Sequence, residues 1–283
     1  MIVPGSTSQS FAAALATARS EPLAAVAYDR HPDGELVAAV PGFDADRATV
    51  VAATPTPEAH VELLQLQDAV REAGAAHVTT VIPYMGYARQ DRAFEPGHPV
   101  SARAVARAVS TGTDRVVVVT PHEEAVAEFF TVPCTVVDAA PRLAVPLPTD
   151  LADPLFLAPD AGATDLARTV RDAYGAGGVD HFEKTRHSGT AVTVDPGDVT
   201  VAGRDAVLVD DIVATGSTMS EAVAELRDRD AADVFVTCVH GVLARDARTK
   251  LARAGVAAVH ATDTLERAVT SVSAAPVVAD ALD

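Results

Sequence analysis

Short valine-rich runs alternate with longer alanine-rich amphipathic stretches along this chain of 283 residues. Runs such as Arg115–Val119 have the length and β-branched content of buried strands, and stretches such as Pro57–Glu72 have the apolar spacing of a surface helix. Alternation of strand with helix is typical of a sheet that carries helices on its faces. We therefore predict an α/β fold with mostly parallel sheets flanked by helices.

The same alternation predicts the individual elements and a division into two domains. Ala140–Pro154 contains four prolines and separates two series of elements, although prolines there also suit a surface loop. We predict domains at residues 1–142 and 143–283, with the last helix packing back on the N-terminal domain. The predicted strands are residues 23–27, 48–52, 78–82, 115–119, 134–137, 155–158, 191–194, 206–209, 233–239 and 256–260, and the predicted helices are 8–19, 57–72, 101–110, 123–129, 164–174, 218–228, 245–254 and 265–272.

The charge balance excludes several classes of protein. Asp and Glu outnumber Lys and Arg by 39 to 22, which gives a formal net charge of −17. So acidic a surface argues against nucleic acid and anionic membranes as partners. It favours a protein kept soluble in strong salt, where self-repulsion is screened; the alternative is an ordinary acidic protein of a mesophile. No apolar run approaches the ~18 residues of a membrane-spanning helix. The first residues lack the features of a secretion signal, so a cytoplasmic location is predicted.

The stretch AVLVDDIVATGSTM, residues 206–219, carries the clearest chemistry. An apolar strand leads into Asp210 and Asp211, a turn of small residues follows, and a helix begins. Backbone N–H groups in a turn that opens a helix bind phosphate, and hydroxyls add donors. Gly216 lets the backbone come close to a ligand, and the two carboxylates are placed to take sugar hydroxyls, directly or through a metal. The alternative is a strand, a turn and a capped helix without a ligand.

This stretch resembles the ribose-5-phosphate loop of type I phosphoribosyltransferase-fold proteins. Each half of the chain has a similar order of strands and helices, so the resemblance implies two tandem type I phosphoribosyltransferase-like domains. The loop occurs in phosphoribosyltransferases, which consume 5-phosphoribosyl 1-diphosphate (PRPP), and in PRPP synthetases, which make it. The loop alone therefore does not identify one reaction.

A second segment, IPYMGYARQDR at residues 82–92, separates these two classes. It resembles the nucleotide-binding segment of the ribose-phosphate pyrophosphokinases, which are the PRPP synthetases. Arg89 and Arg92 are fixed cations whose planar donor arrays suit phosphate oxygens, and Gln90 adds a polar contact. A structural ion pair with Asp91 is the alternative role for these arginines.

Four further segments resemble the same family in the same order. YDRHPDGEL, residues 28–36, resembles the loop that holds the adenine. VTPHEEAVAEFF, residues 119–130, resembles the segment whose histidine contacts the triphosphate and the metal. LAPDAGA, residues 157–163, resembles a loop with a metal-linked acid, and EKTR, residues 183–186, falls where the family keeps its catalytic Lys and Arg. The resemblance therefore covers nearly the whole chain.

The resemblance implies a reaction and the residues that carry it. ATP would transfer its diphosphoryl group to the 1-hydroxyl of ribose 5-phosphate, with Mg²⁺ as cofactor, giving PRPP and AMP for nucleotide biosynthesis. It also implies a homo-oligomer with sites near the subunit interfaces. The implied residues are Lys184 and Arg186 for catalysis; Asp33, Gly34, Glu35, Arg89, Gln90, Arg92 and His122 for ATP; Arg186, Asp210, Asp211, Ala214, Thr215, Gly216, Ser217 and Thr218 for ribose 5-phosphate; and His122 and Asp160 for the metal.

Two other functions stay open on the sequence alone. A phosphoribosyltransferase that consumes PRPP is disfavoured by the ARQDR segment and by the length of two units. A non-catalytic regulatory homologue is disfavoured because it has no need to retain Lys184, Arg186, Asp210 and Asp211 together. The chain has only two lysines, Lys184 and Lys250, and one of them falls in the segment that matches the catalytic residues of the family.

Overall fold

The computed structural model describes residues 1–186, 192–195 and 200–283, with the backbone alone for residues 184–186 and 192–195. These residues form two compact units. The first unit contains Met1–Asp138, Asp263–Glu266 and Ser273–Asp283, and the second contains Ala139–Thr262 and Arg267–Val272. The chain therefore returns to the first unit twice, briefly at Asp263–Glu266 and finally at Ser273–Asp283. The predicted domain boundary between residues 142 and 143 stays a prediction.

A parallel sheet forms the centre of the first unit. The elements before residue 139 are β1 (Ile2–Pro4), α1 (Gln9–Arg19), β2 (Ala27–Arg30), β3 (Leu36–Ala39), β4 (Arg47–Val51), α2 (Pro57–Glu72), β5 (His77–Ile82), α3 (Ser101–Ser110), β6 (Arg115–Val119) and β7 (Cys134–Val137). The sheet has the order β1-β4-β5-β6-β7, and every neighbouring pair is parallel. β2 and β3 form a separate antiparallel hairpin.

The second unit also has a parallel sheet. Its elements, followed by the last helix of the chain, are β8 (Leu155–Ala158), α4 (Thr164–Tyr174), β9 (Gly178–His181), β10 (Glu183–Arg186), β11 (Val192–Asp195), β12 (Ala206–Ile212), α5 (Ser217–Asp228), β13 (Val234–His240), α6 (Ala247–Ala254), β14 (Ala258–Thr262), β15 (Thr270–Val272) and α7 (Ala275–Ala281). The sheet order is β15-β14-β13-β12-β8-β9, all parallel, and β10 pairs with β11 in a separate antiparallel ribbon.

Buried aliphatic side chains hold each sheet to its helices. Leu63, Leu66 and Val70 lie on one face of α2 and are fully buried, because their spacing matches the helical period. Leu208 and Val236 lie on the two central strands of the second unit and join its core. Full burial of one such side chain contributes about 1.5–3 kcal/mol. Each sheet is therefore held to its helices mainly by the burial of apolar side chains.

Arginines of the first unit bind the carboxyl end of α7. The guanidinium of Arg19 donates to the carbonyl oxygen of Ala279 at 3.0 Å and pairs with Asp283 at 2.9 Å. The guanidinium of Arg115 donates to the carbonyl oxygen of Ala281 at 2.7 Å. Cations at the carboxyl end of a helix satisfy its last carbonyls and complement its dipole.

The predicted α/β fold with parallel sheets flanked by helices is confirmed, and two predicted elements are wrong. The strand predicted at 23–27 is absent: Leu23 makes a single bridge to Ile2, and Ala27 is only the first residue of β2. Residues 265–272 form no helix, because the β-branched end of that stretch adds the edge strand β15 to β14. Residues predicted as a helix at 123–129 form a 3₁₀-helix at Glu124–Phe129.

Candidate active site

Two adjacent carboxylates lie at the end of β12, one of the two central strands of the second unit. The side chain of Asp210 accepts a hydrogen bond from the N–H of Asp211 at 3.0 Å, and the side chain of Asp211 accepts one from the N–H of Ile212 at 2.8 Å. Both residues are half-buried. They lie at the carboxyl edge of the sheet, where open α/β sheets bind their ligands.

The turn after β12 is held by the segment that follows β13. The N–H of Val213 donates to the carbonyl oxygen of His240 at 3.2 Å, and the N–H of Ala244 donates to that of Ala214 at 2.9 Å. Gly216 has a φ of 71°, in the left-handed region, and a Cβ placed on it would lie 3.2 Å from atoms of Ala247. Both the backbone conformation and the close packing therefore favour glycine.

α5 begins at Ser217, directly after this turn, which we call the phosphate turn (residues 214–218). Its hydroxyls come from Thr215, Ser217 and Thr218; those of Thr215 and Ser217 lie 3.5 Å apart. The first N–H groups of a helix have no partner within it and carry the positive end of the helix dipole. The first turn of α5 contains no acidic residue. Together, these groups can bind a phosphate.

Negative charge accumulates beside the phosphate turn. Burial raises the pKa of Asp210 well above its ordinary value, and repulsion from Asp211 and from Asp160 raises it further. Asp160 follows β8, the strand next to β12, and its side chain accepts a hydrogen bond from the N–H of Gly162 at 3.1 Å. A divalent cation would relieve this repulsion, so these carboxylates fit a metal that prefers oxygen ligands.

No group of three or more His, Cys, Asp or Glu side chains is arranged to hold a metal ion within the described ranges. A small hard cation that keeps several waters and takes further oxygens from a substrate needs only one or two carboxylates. The carboxylates of the second unit therefore suit a metal that binds together with the substrate. They suit less well a metal that is held permanently by protein ligands alone.

The ribbon of β10 and β11 carries the two predicted catalytic residues. Lys184 is opposite Val194 and Arg186 is opposite Val192 in the antiparallel register. The side chains of Lys184 and Arg186 lie outside the described residues, so their catalytic roles stay predictions.

The arginine segment of the first unit begins with an unusual backbone conformation after β5. Tyr87 has a φ of 64°, and the N–H of Gln90 donates to its carbonyl oxygen at 2.9 Å, so the chain turns sharply just before Arg89. The side chain of Gln90 accepts a hydrogen bond from the hydroxyl of Ser101, at the start of α3. Arg89 is exposed, as a ligand for phosphate oxygens must be.

Arg92 and its neighbour Phe94 form an exposed pair in the same segment. The guanidinium carbon of Arg92 lies 5.3 Å from the centre of the Phe94 ring, and Phe94 is 56% exposed. An arginine over an aromatic ring keeps its edge donors available. Arg92 can therefore still bind an anion.

Sequence reasoning missed the residues that support Tyr87. A Cβ on Gly86 would lie 2.0 Å from the carbonyl oxygen of Thr54, and the N–H of Gly86 donates to the Thr54 hydroxyl at 3.0 Å. The His60 ring lies 5.5 Å from the Tyr87 ring, centre to centre. Burial lowers the pKa of His60, and neither ring nitrogen has a hydrogen-bond partner among the described residues. His60 lies on α2, far from Tyr87 in the sequence, so the local sequence pattern around Tyr87 does not predict this contact.

His122 lies just beyond β6, the neighbour of β5, and is exposed. The preceding Thr120 has a φ of 36°, and its N–H donates to the carbonyl oxygen of Val137 at 2.8 Å. Because β5 and β6 are parallel neighbours, His122 and the arginine segment share the carboxyl edge of the first sheet. The structure therefore brings these ATP-binding candidates to one edge.

Asp33, Gly34 and Glu35 form the tip of the β2–β3 hairpin, and all three are exposed. The N–H of Glu35 donates to the Asp33 side chain at 3.2 Å, and the guanidinium of Arg30 donates to the carbonyl oxygen of Gly34 at 2.8 Å. This hairpin is separate from the parallel sheet. Its exposed polar tip is available to a ligand.

Family models and known proteins agree on what the chain resembles. The family model for the N-terminal domain of ribose phosphate pyrophosphokinase matches residues 1–112, and that for the phosphoribosyl synthetase-associated domain matches residues 184–279. The ribose-phosphate pyrophosphokinase of Halobacterium salinarum is 64% identical over 283 residues and covers 100% of both chains. The chain belongs to the ribose-phosphate pyrophosphokinase family. The family resemblance stated from the sequence is thereby confirmed.

More distant members of the ribose-phosphate pyrophosphokinase family also match over nearly their whole length. That of Methanosarcina mazei is 42% identical, and the match covers 99% of this chain and 94% of the relative. The crystal structure of phosphoribosylpyrophosphate synthetase from Mycobacterium smegmatis matches with a TM-score of 0.83 at 28% identity, over 100% of this chain and 97% of that one. The predicted pair of type I phosphoribosyltransferase-like units is thereby confirmed. Within the described ranges, no helix has both the length and the apolar content needed to cross a bilayer.

Proposed function

We propose that the protein transfers the diphosphoryl group of ATP to the 1-hydroxyl of ribose 5-phosphate, giving PRPP and AMP for nucleotide biosynthesis. The observation that carries this proposal is the placement of Asp210 and Asp211 next to the phosphate turn. A sugar phosphate presents hydroxyls and a phosphate a few ångströms apart, which is the pairing that this edge of the sheet offers. Membership of the ribose-phosphate pyrophosphokinase family favours formation of PRPP over its consumption.

The phosphate turn binds the 5-phosphate in this proposal. Backbone N–H groups and hydroxyls of residues 214–218 donate to its oxygens, Asp210 and Asp211 take the 2- and 3-hydroxyls, and Arg186 helps to hold the sugar phosphate. The backbone bonds to His240 and Ala244 fix the turn before substrate arrives. Pre-organisation of this kind is a large part of catalysis by positioning.

The first unit binds ATP in this proposal. Arg89, Gln90, Arg92 and His122 contact its phosphates, and the hairpin tip of Asp33, Gly34 and Glu35 binds the adenine. The 1-hydroxyl oxygen attacks the β-phosphorus, and the bond from that phosphorus to the oxygen shared with the α-phosphate breaks, so AMP leaves. Lys184 and Arg89 offset the charge on the transferred group.

We assign Mg²⁺ as the metal. When bound, it neutralises charge on the phosphates of ATP. Asp160 and His122 would hold it, with His122 acting through a water molecule because Mg²⁺ prefers oxygen ligands. The mutual repulsion of Asp160, Asp210 and Asp211 supports a cation beside the phosphate turn.

The proposed setting is the cytoplasm of a salt-loving organism, with the protein as a homo-oligomer and without nucleic acid or membrane as a partner. The net charge of −17 supports the salt-rich setting and the absence of anionic partners, because such a charge repels anionic surfaces and is screened in strong salt. The relative from Halobacterium, at 64% identity, supports it independently.

The test is AMP formation from ATP and ribose 5-phosphate with Mg²⁺, followed across a series of KCl concentrations. We expect AMP and PRPP in equal amounts, with the highest rate in strong salt. Base-dependent release of pyrophosphate from PRPP, without AMP formation, would instead indicate a phosphoribosyltransferase.

Lys184→Ala should lower kcat by about 10²-fold or more, with an unchanged melting temperature. A small effect on kcat would remove Lys184 from the catalytic role.

A further inference from the structure

The second lysine of the chain reaches the phosphate turn. Lys250 lies on α6, and its ammonium nitrogen is 3.3 Å from the hydroxyl oxygen of Ser217, the first residue of α5. The same nitrogen lies 3.2 Å from a carboxylate oxygen of Asp246, one helical turn earlier. α6 packs closely on the turn, because a Cβ on Gly216 would lie 3.2 Å from atoms of Ala247. The ammonium is therefore held beside the turn.

A cation at this place is disfavoured by the dipole of α5, whose positive end lies at Ser217. The first turn of a helix carries partial positive charge, and a cation beside it is unfavourable unless an anion is also present. α5 has no acidic residue in its first turn, and Asp246 is the carboxylate that pairs with Lys250. A phosphate monoester, with between one and two negative charges near neutral pH, would complement the helix end and the ammonium together.

The scarcity of lysine in the chain makes the position of Lys250 beside the phosphate turn more informative. Lys and Arg number 22 in the chain, only two of them are lysines, and the net charge is −17. Exposed arginines lie on the same helix without reaching the turn by any described contact, for example Arg248. The residue that does reach it is a lysine, a compact point charge with three donors that suits a single phosphate oxygen.

We infer that Lys250 is a binding residue for the 5-phosphate of ribose 5-phosphate, and for the same group in PRPP. Its ammonium donates to a phosphate oxygen, next to the backbone N–H groups and the Ser217 hydroxyl. This inference rests on the proposed function. The 5-phosphate is remote from the reacting 1-hydroxyl, so the contact strengthens binding of substrate and transition state alike. Its loss should therefore change KM for ribose 5-phosphate and leave kcat nearly unchanged.

Matched variants test this inference by kinetics in several molar KCl, where long-range charge effects are screened beyond about 3 Å. Lys250→Gln should raise KM for ribose 5-phosphate about tenfold, the effect of one charge-assisted hydrogen bond, and leave KM for ATP unchanged. Lys250→Arg should recover most of the loss. Arg248→Gln removes the same charge from the same helix and should leave both constants unchanged. An unchanged KM for ribose 5-phosphate in Lys250→Gln, or an equal rise in KM for ATP, would overturn the inference.

A second experiment needs no variant. Because the chain has two lysines, acylation of each can be followed separately by peptide mass spectrometry. Ribose 5-phosphate should slow acylation of Lys250 in the wild-type protein, and ribose at the same concentration should not. Equal rates with ribose and with ribose 5-phosphate would refute the contact. A wild-type protein that forms AMP but shows no protection would refute the inference alone, whereas absence of AMP formation would refute the proposed function.

Discussion

Replacement of Gly216 by alanine tests whether close packing of the phosphate turn against α6 controls the binding of ribose 5-phosphate. Gly216 has a φ of 71°, and a new Cβ would lie 3.2 Å from the Cα, Cβ and carbonyl oxygen of Ala247. Gly203 is a matched control with a φ of 74° and no atom within 4 Å of the corresponding Cβ position. Both variants carry the same backbone cost, and only Gly216→Ala also presses on α6.

The two costs can be estimated separately. The left-handed conformation costs an L-residue roughly 1–2 kcal/mol, and the lower entropy of the unfolded alanine chain offsets about 0.4–1 kcal/mol of it. Gly203→Ala should therefore lower the free energy of unfolding by about 1 kcal/mol. Overpacking adds about 1–3 kcal/mol, so Gly216→Ala should lower it by about 2–4 kcal/mol.

The assay is urea unfolding of both variants in the same concentrated salt buffer, with KM for each substrate measured on the folded proteins. We expect KM for ribose 5-phosphate to rise severalfold in Gly216→Ala, because the new methyl group displaces the turn, and to stay unchanged in Gly203→Ala. KM for ATP should stay unchanged in both. Equal losses of stability in the two variants, or an unchanged KM for ribose 5-phosphate in Gly216→Ala, would refute the reasoning.

Two further predictions use pKa directions. The pKa of Asp210 is higher in the folded than in the unfolded protein. Asp210 therefore stabilises the fold less as the pH rises from the ordinary pKa of an aspartate to the raised pKa. Asp210→Asn should therefore be more stable than wild type by about 1 kcal/mol at neutral pH without divalent cations; melting temperatures that stay equal from acid to neutral pH would contradict this. Burial lowers the pKa of His60, so stability is lost as pH falls from about 6.5 through the lowered value. His60→Phe should keep the ring contact with Tyr87 and show a smaller loss of stability on acidification; equal slopes of unfolding free energy against pH would contradict it.

Much of the fold could be predicted because buried parallel strands have a simple sequence pattern. A strand with both faces covered is a continuous apolar run, and Arg115–Val119 and Leu155–Ala158 lie where such runs predict them. The paired acids, the small-residue turn and the helix start are local features too. The phosphate turn could therefore be located by reading residues in order.

Other parts depend on contacts that the local sequence does not carry. β2 is exposed along its whole length, so it has no alternation of buried and exposed positions to recognise. β15 exists because it pairs with the edge of a sheet that earlier strands built. The approach of Lys250 to Ser217 and of His60 to Tyr87 joins residues on different elements. Such pairings follow from the fold and become visible only with it.

The return of the chain to the first unit has a consequence for how the protein is made. Ser273–Asp283, which includes α7, belongs to the first unit, and its carbonyls bind Arg19 and Arg115. A ribosome adds these residues only after it has translated the whole second unit. Although domains generally fold in order from the N-terminus as they emerge, here the unit that starts first is completed last. The first unit therefore lacks α7, and Arg19 and Arg115 lack its carbonyl oxygens, until the second unit has been translated.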